Sequence, residues 1–182
     1  MKHGIRIAAF ASGPIETKQR RRRSVILVGV IWRNGMLEGV LSNKVRVDGS
    51  DATEAISRTV AGSRFGEQVR LVALNGIALA GLNIVDTAAL QKRLGIAVVV
   101  VTRGVQKPDD LIGAIESHSA NKTFKTKSVE ANASIKLRRA GGFYFRSKEN
   151  LAERMVTEAA SALRLAHMIA RGVSSGESKG RI

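Results

Sequence analysis

Residues 24–47 read SVILVGVIWRNGMLEGVLSNKVRV. The run 24–32 holds Val25, Ile26, Val28, Val30 and Ile31, whose branched side chains are stiff at χ1 and suit a pleated strand. Asn34-Gly35 follows, and both residues tolerate the positive φ that a two-residue hairpin turn demands. Residues 36–47 then run back as the partner strand. Upstream, residues 5–10 (IRIAAF) read as a further strand, ended by Gly13-Pro14 because proline biases its predecessor away from helix and punctuates the chain. Three antiparallel strands therefore open the fold.

Downstream the period changes. Ser50 or Asp51 is placed to cap a helix to about Arg64, with Ala52, Ala55, Ile56, Thr59 and Val60 forming its stripe. Residues 69–74 read as a buried strand. Asp86 caps a short helix through Leu94 and Gly95 stops it. The apolar run 97–101 suits a strand covered on both faces. Pro108 opens a helix to about His118, since its missing N–H is no loss in a first turn. Residues 119–140 carry six basic residues against one acid, Glu130, and read as an irregular, ligand-facing segment. One more strand is expected at 143–145, and a helix or helix pair at 150–171, ending at Gly172. Three antiparallel strands followed by parallel βα units predict an α/β mixed sheet flanked by helices, in one domain over 1–182.

The chain's 182 residues are 44 % hydrophobic but only 4 % aromatic, so the core must come from Val, Ile, Leu and Ala. Thirty Lys and Arg against fifteen Asp and Glu leave +15. That excess favours partners of dense negative charge, because each neutralised phosphate releases counterions. The absence of Cys excludes thiolate nucleophiles, Cys-based zinc sites and iron–sulfur clusters. The longest apolar run, 96–101, falls far short of the ~20 residues that span a bilayer. No h-region follows the start of the chain. A soluble, cytoplasmic protein with no membrane partner is expected; the pattern says nothing of its oligomeric state.

The chemistry is bounded next. There is no G-x-S-x-G elbow, P-loop or clean G-x-G-x-x-G after a strand. His3, His118 and His167 lack zinc spacing. What remains is carboxylates near strand ends holding Mg²⁺ or Mn²⁺, hard ions that take oxygen ligands. The candidates are Asp48, Asp51 and Glu54 at one strand-to-helix junction, plus Asp86. Asp51 and Asp86 equally suit N-caps, Asp48-Gly49 suits a turn, and Asp51 with Glu54 resembles a capping box. The strand 69–74 runs into Asn75-Gly76 and the first strand into Ala11-Ser12, so neither supplies an anion.

Four stretches together carry a resemblance: VRVDGSDATE (45–54), LNGIALAGLNIVD (74–86), LRLAH (163–167) and GESKGR (176–181). They resemble an uncharacterised, mainly archaeal family related to endonuclease V. The resemblance implies an RNase H-like fold. It also implies cleavage of nucleic acid near deaminated bases, through Mg²⁺ held by three acids with a helix histidine assisting. Position by position, the helix-region acid falls on Glu54 and the histidine on His167. The Asp-Gly position falls on Asn75-Gly76, and the first-strand Asp on Ala11, or on Ser12 if the register slips by one. The Pro-Glu-Pro that usually precedes the Arg-x-Ala-His stretch is replaced by Ala160-Ser161-Ala162.

So the sequence keeps the frame of a nuclease and lacks two of three carboxylates. The expectation is a nucleic-acid-binding protein that is catalytically silent, with no resident cofactor. Two alternatives stay open: an active Mg²⁺- or Mn²⁺-dependent endonuclease whose ligands Glu54, Asp51 and Asp48 are rearranged, and a basic protein that binds an acidic protein or ribosomal surface. Candidate phosphate contacts are Lys18, Arg20, Arg21, Arg22 and Arg23 in the first loop, Arg138 and Arg139, Arg164, and Lys179 and Arg181 in the tail. Phe143, Tyr144 and Phe145 either stack on bases or pack in the core. Trp32 is expected to be a packing residue.

Overall fold

The computed structural model describes residues 4–15 and 24–178. A seven-stranded mixed sheet forms its centre. Strands β1 (Arg6–Ser12), β2 (Ser24–Arg33) and β3 (Met36–Arg46) are antiparallel neighbours. Asn34 and Gly35 take φ of 50° and 80°, so the two-residue turn forms as its sequence predicts. Helix α1 (Ala52–Ala61) leads to β4 (Val69–Leu74), which pairs parallel with β1. A small hairpin, β5 (Ala78–Leu79) and β6 (Asn83–Ile84), precedes α2 (Thr87–Leu94) and β7 (Ala97–Thr102). Strand β7 is parallel to β4. Then come α3 (Pro108–His118), α4 (Lys122–Ala133), β8 (Arg138–Ala140), β9 (Phe143–Arg146) and α5 (Glu153–Ser175). The sheet order is β3-β2-β1-β4-β7-β9-β8, with β9 antiparallel to both its neighbours.

The central strands are covered on both faces, which is why they read as continuous apolar runs. On one face Ile7, Ala9, Leu71, Ala73 and Val99 meet Ala159, Ala162, Leu163, Ala166 and Ala170 of α5. Alanines let this helix approach the sheet closely. On the other face Ala8, Phe10, Leu27, Val72 and Leu74 meet Ile56 and Val60 of α1 and Leu90 of α2. Phe10 lies over Gly29, where a Cβ would come within 2.6 Å of the ring. Among the described residues, no helix is long and apolar enough to cross a membrane.

Two expectations need correction. Residues 119–140 are not irregular: they form α4 and β8. The buried positions of α4 are Lys125, Ser128, Val129 and Asn132, a helical stripe written mostly in polar residues. Lys125 is fully buried, its Nζ donating to the Asp48 carbonyl (2.8 Å) and to Ser119 Oγ (2.5 Å). An apolar period could not reveal such a helix. The last helix is also single and passes Gly172, stopping at Gly176 in the left-handed conformation (φ 78°). Asp86 caps α2 as expected, accepting from Ala89 N at 2.9 Å. Asp51 holds the N-cap position of α1 without making the capping bond.

Candidate functional site

Strands β1, β4 and β7 are parallel, so their carboxyl ends lie side by side. Open α/β sheets bind ligands at that end. Phe10 pairs with Leu74, so one step further on Ala11 comes beside Asn75. Ala11 is 5 % exposed and belongs to the core under α5. Asn75 shares the parity of Leu71 and Ala73 and lines a narrow space with Thr102, Arg103, Phe143, Ala160 and Leu163. Ser12 points to the opposite face, where its Oγ accepts from Ala80 N at 3.0 Å.

Helix α5 runs alongside β1. Met155 and Glu158 lie near Ile5 and Ile7 at its start, and Ser174 lies against Gly13 beyond its end. His167 falls between them, one turn past Leu163 and half-buried. Burial holds its imidazole below the ordinary histidine value, and the Arg171 guanidinium pushes the same way. A neutral imidazole, able to accept a proton, is thus the resting form at pH 7. Ala11 and Asn75 share the α5 face at the carboxyl end of the sheet, and His167 belongs to the helix that covers this face.

Glu54 does not join them. It lies in the first turn of α1, over the opposite face, and its exposed carboxylate pairs with Arg58 (3.5 Å) and Arg93. Asp51 accepts from Asn83 Nδ2 (2.7 Å) and Arg46 N (3.2 Å). Asp48 has a φ of 52°, its N–H donates to the Ala80 carbonyl (2.9 Å), and its carboxylate accepts from Leu82 N (2.7 Å). These two acids staple the 46–51 loop to the β5–β6 hairpin. Among the described residues no three acidic or histidine side chains gather where they could hold a metal ion.

A pocket of about 420 Å³ opens beside Asn75 and Gly76, between the carboxyl end of β4, the β7–α3 loop, α3 and α4. Ile77, Leu111 and Val129 supply apolar walls, while Lys107, Asp110 and Arg146 bring charge. Arg146 is anchored by donating Nη1 to the carbonyls of Ala133 (2.7 Å) and Ile135. Asn132 also lines the pocket. It is 7 % exposed, and its Nδ2 is buried without a hydrogen-bond partner. A buried donor left unpaired costs about 1–3 kcal/mol. Nothing in the sequence singles out Asn132: its one signal is the helical spacing from Lys125, Ser128 and Val129.

The basic candidates divide. Arg138 is anchored within the protein, its guanidinium 4.9 Å from the Phe145 ring and Nη2 donating to the carbonyls of Ser147 (2.6 Å) and Glu149 (2.7 Å). Arg139 is exposed, 5.6 Å from the Tyr144 ring centroid. Arg164 lies on the exposed side of α5. Exposed Arg103 and Lys107 add charge at the strand ends that the sequence did not flag. Phe145 is core, while Phe143 and Tyr144 are half-buried. Trp32 packs with α5, its Nε1 donating to Glu158. Lys18, Arg20, Arg21, Arg22, Arg23, Lys179 and Arg181, with His3, lie outside the described residues.

Comparison with known proteins adds a family and a fold. The family model described as endonuclease dU matches residues 3–174. A UPF0215 protein of Pyrococcus horikoshii is 39 % identical, with 98 % of this chain and 97 % of that protein covered. One from Methanothermobacter thermautotrophicus is 35 % identical, covering 99 % and 93 %. A crystal structure of a protein of unknown function from Archaeoglobus fulgidus superposes with a TM-score of 0.83 at 26 % identity, over 94 % of this chain and 99 % of that one. The structure of human ENDOV, an endonuclease V, gives a TM-score of 0.51 at 8 % identity, over 90 % and 81 %. That last likeness is one of fold.

Proposed function

The chain belongs to the endonuclease dU family, and we propose that it binds nucleic acid across the carboxyl end of its sheet without cutting it. One observation carries the proposal: the neighbouring strand ends bring together Ala11 and Asn75, a methyl group and a carboxamide at the two positions on which the resemblance puts metal-binding carboxylates. Mg²⁺ sheds water reluctantly and needs anionic oxygens. A methyl, an amide and a neutral imidazole do not suit it. Without the ion, neither the attacking nor the leaving oxygen of a phosphodiester is stabilised, a loss of several kcal/mol of barrier lowering. Glu54, the remaining acid of the expected set, is neutralised by Arg58 and Arg93 on the other face.

Binding needs none of this. The +15 charge supplies counterion release on contact with phosphates. Exposed Lys107 lines the pocket and exposed Arg103 lines the narrow space beside Asn75, and both suit phosphate contacts that position a strand. The pocket has room for one unstacked base between Ile77, Leu111 and Val129. Asn132 lines that wall, and a turn of its side chain into the pocket would let the unpaired Nδ2 donate to an exocyclic oxygen, favouring a base with a carbonyl at that edge over one with an amino group. The description of the family as endonuclease dU agrees with an oxygen-bearing base such as uracil.

The test combines two assays. Fluorescence anisotropy should show binding to labelled strands at about 50 mM salt that weakens steeply by about 200 mM. Undetectable binding at the lower salt would contradict the proposal. The same strands incubated with Mg²⁺ or Mn²⁺ should stay intact. The second reading, an active endonuclease with rearranged ligands, is favoured by the family's description as an endonuclease. It requires divalent-dependent cleavage that Glu54→Ala abolishes.

A further inference from the structure

The paired arginines at 138–139 and the aromatics at 143–145 lie on two short antiparallel strands, and alternation splits them between the faces. Phe143 and Phe145 pack towards α5, and Arg138, the register partner of Phe145, is spent on that side. Tyr144 and Arg139 are register partners on the opposite face, the guanidinium lying over the ring. Strand β7 fixes where this pair sits. Thr102 pairs with Tyr144 and Val100 with Arg146. Arg146 lines the pocket, so Tyr144 follows it on the same face, about 7 Å nearer the strand end. Arg103, exposed, comes directly after Thr102.

We propose that the Tyr144–Arg139 pair is a stacking shelf for an unpaired base of a single-stranded nucleic acid, next to the nucleotide at the pocket. This rests on the nucleic-acid reading above and names the partner more closely. A half-buried phenol is held by the sheet and loses little freedom on binding, and every base offers it a π-face. The guanidinium is planar, stacks on aromatic rings and also reaches phosphate. In a duplex the base faces are already stacked on one another, so the shelf has nothing to take. Single strand is therefore the preferred partner, with no demand on base identity at this position.

Tyr144 is the one tyrosine and Trp32 the one tryptophan of the chain. A Trp32→Phe protein therefore reports Tyr144 emission alone. It is titrated with a thymidine homopolymer of about a dozen nucleotides and with a duplex of equal length, at about 50 mM salt. The single strand should quench the emission and the duplex should not. In the parent background, read by anisotropy of a labelled strand, Tyr144→Ala should weaken single-strand binding about tenfold and Tyr144→Phe should restore it. Arg139→Ala should lower the salt slope by about 0.7, the share of one phosphate on a single strand. A parent that binds single strands while Tyr144→Ala binds equally well overturns the shelf alone, as does tight duplex binding with equal quenching. A parent that binds neither substrate removes the nucleic-acid reading and the shelf with it.

Discussion

Replacing both Ala11 and Asn75 by aspartate probes the strand ends directly. Neighbouring strands lie about 4.8 Å apart, and the register puts the two side chains on one face. Two carboxylates at about 5 Å repel by roughly 3 kcal/mol at an effective dielectric of about 20, less where solvent reaches the new carboxylate on β4's end. Position 11 is 5 % exposed, so its carboxylate also loses hydration. The double variant should therefore be less stable than the parent at pH 7 and should recover as acid protonates one of the pair. A divalent ion between the carboxylates would remove the repulsion. Mn²⁺ at 100 times its dissociation constant adds about 2.7 kcal/mol. Thermal unfolding with and without Mn²⁺ reads all of this. The parent should show no such gain. A double variant that is neither destabilised at neutral pH nor restored by Mn²⁺ would refute the adjacency of these two positions.

Three further perturbations bear on the frame. Asp86→Ala removes the bond to Ala89 N and should cost about 1 kcal/mol in denaturant unfolding. His167 titrates lower in the folded protein than the ordinary 6.5, so the unfolded chain takes up its proton first. Stability from this group is present above pH 6.5 and falls as pH drops towards the folded value, and His167→Gln should flatten that part of the stability–pH curve. Lys125→Ala empties a fully buried site and strips two acceptors of their donor, so a loss of about 2–4 kcal/mol is expected. Lys125→Met, which keeps the volume, should lose less. Equal losses in the two variants would mean that filling the space contributes nothing.

The sheet was legible because its signals are local: the branched run at 24–32, the Asn34-Gly35 turn, the apolar stretches of β4 and β7, the cap at Asp86. Helix α4 was not, since Lys125 and Asn132 occupy buried positions and are satisfied, or left open, by groups distant in sequence. Gly172 shows the converse. Tertiary contact along α5 carries the helix past a residue that local propensity reads as a stop. Ala11, Asn75 and His167 could be named from resemblance, and the parallel register supplies the reason that Ala11 and Asn75 come side by side. Glu54 shows where resemblance outruns geometry, because its spacing in the chain gives no hint of Arg93 on the next helix. Tyr144 and Arg139 needed the β8–β9 register to separate them from Phe145 and Arg138.

In the proposed function, phosphates are held at strand ends that lack the charge needed to grip a metal. The most direct measurement follows one end-labelled strand containing uracil with the parent protein, in Mg²⁺ and then in Mn²⁺. Binding is recorded by anisotropy and integrity by denaturing gel on the same samples. Saturable binding with the strand intact in both ions is the predicted result. Divalent-dependent cleavage by the parent that disappears in Glu54→Ala would contradict it.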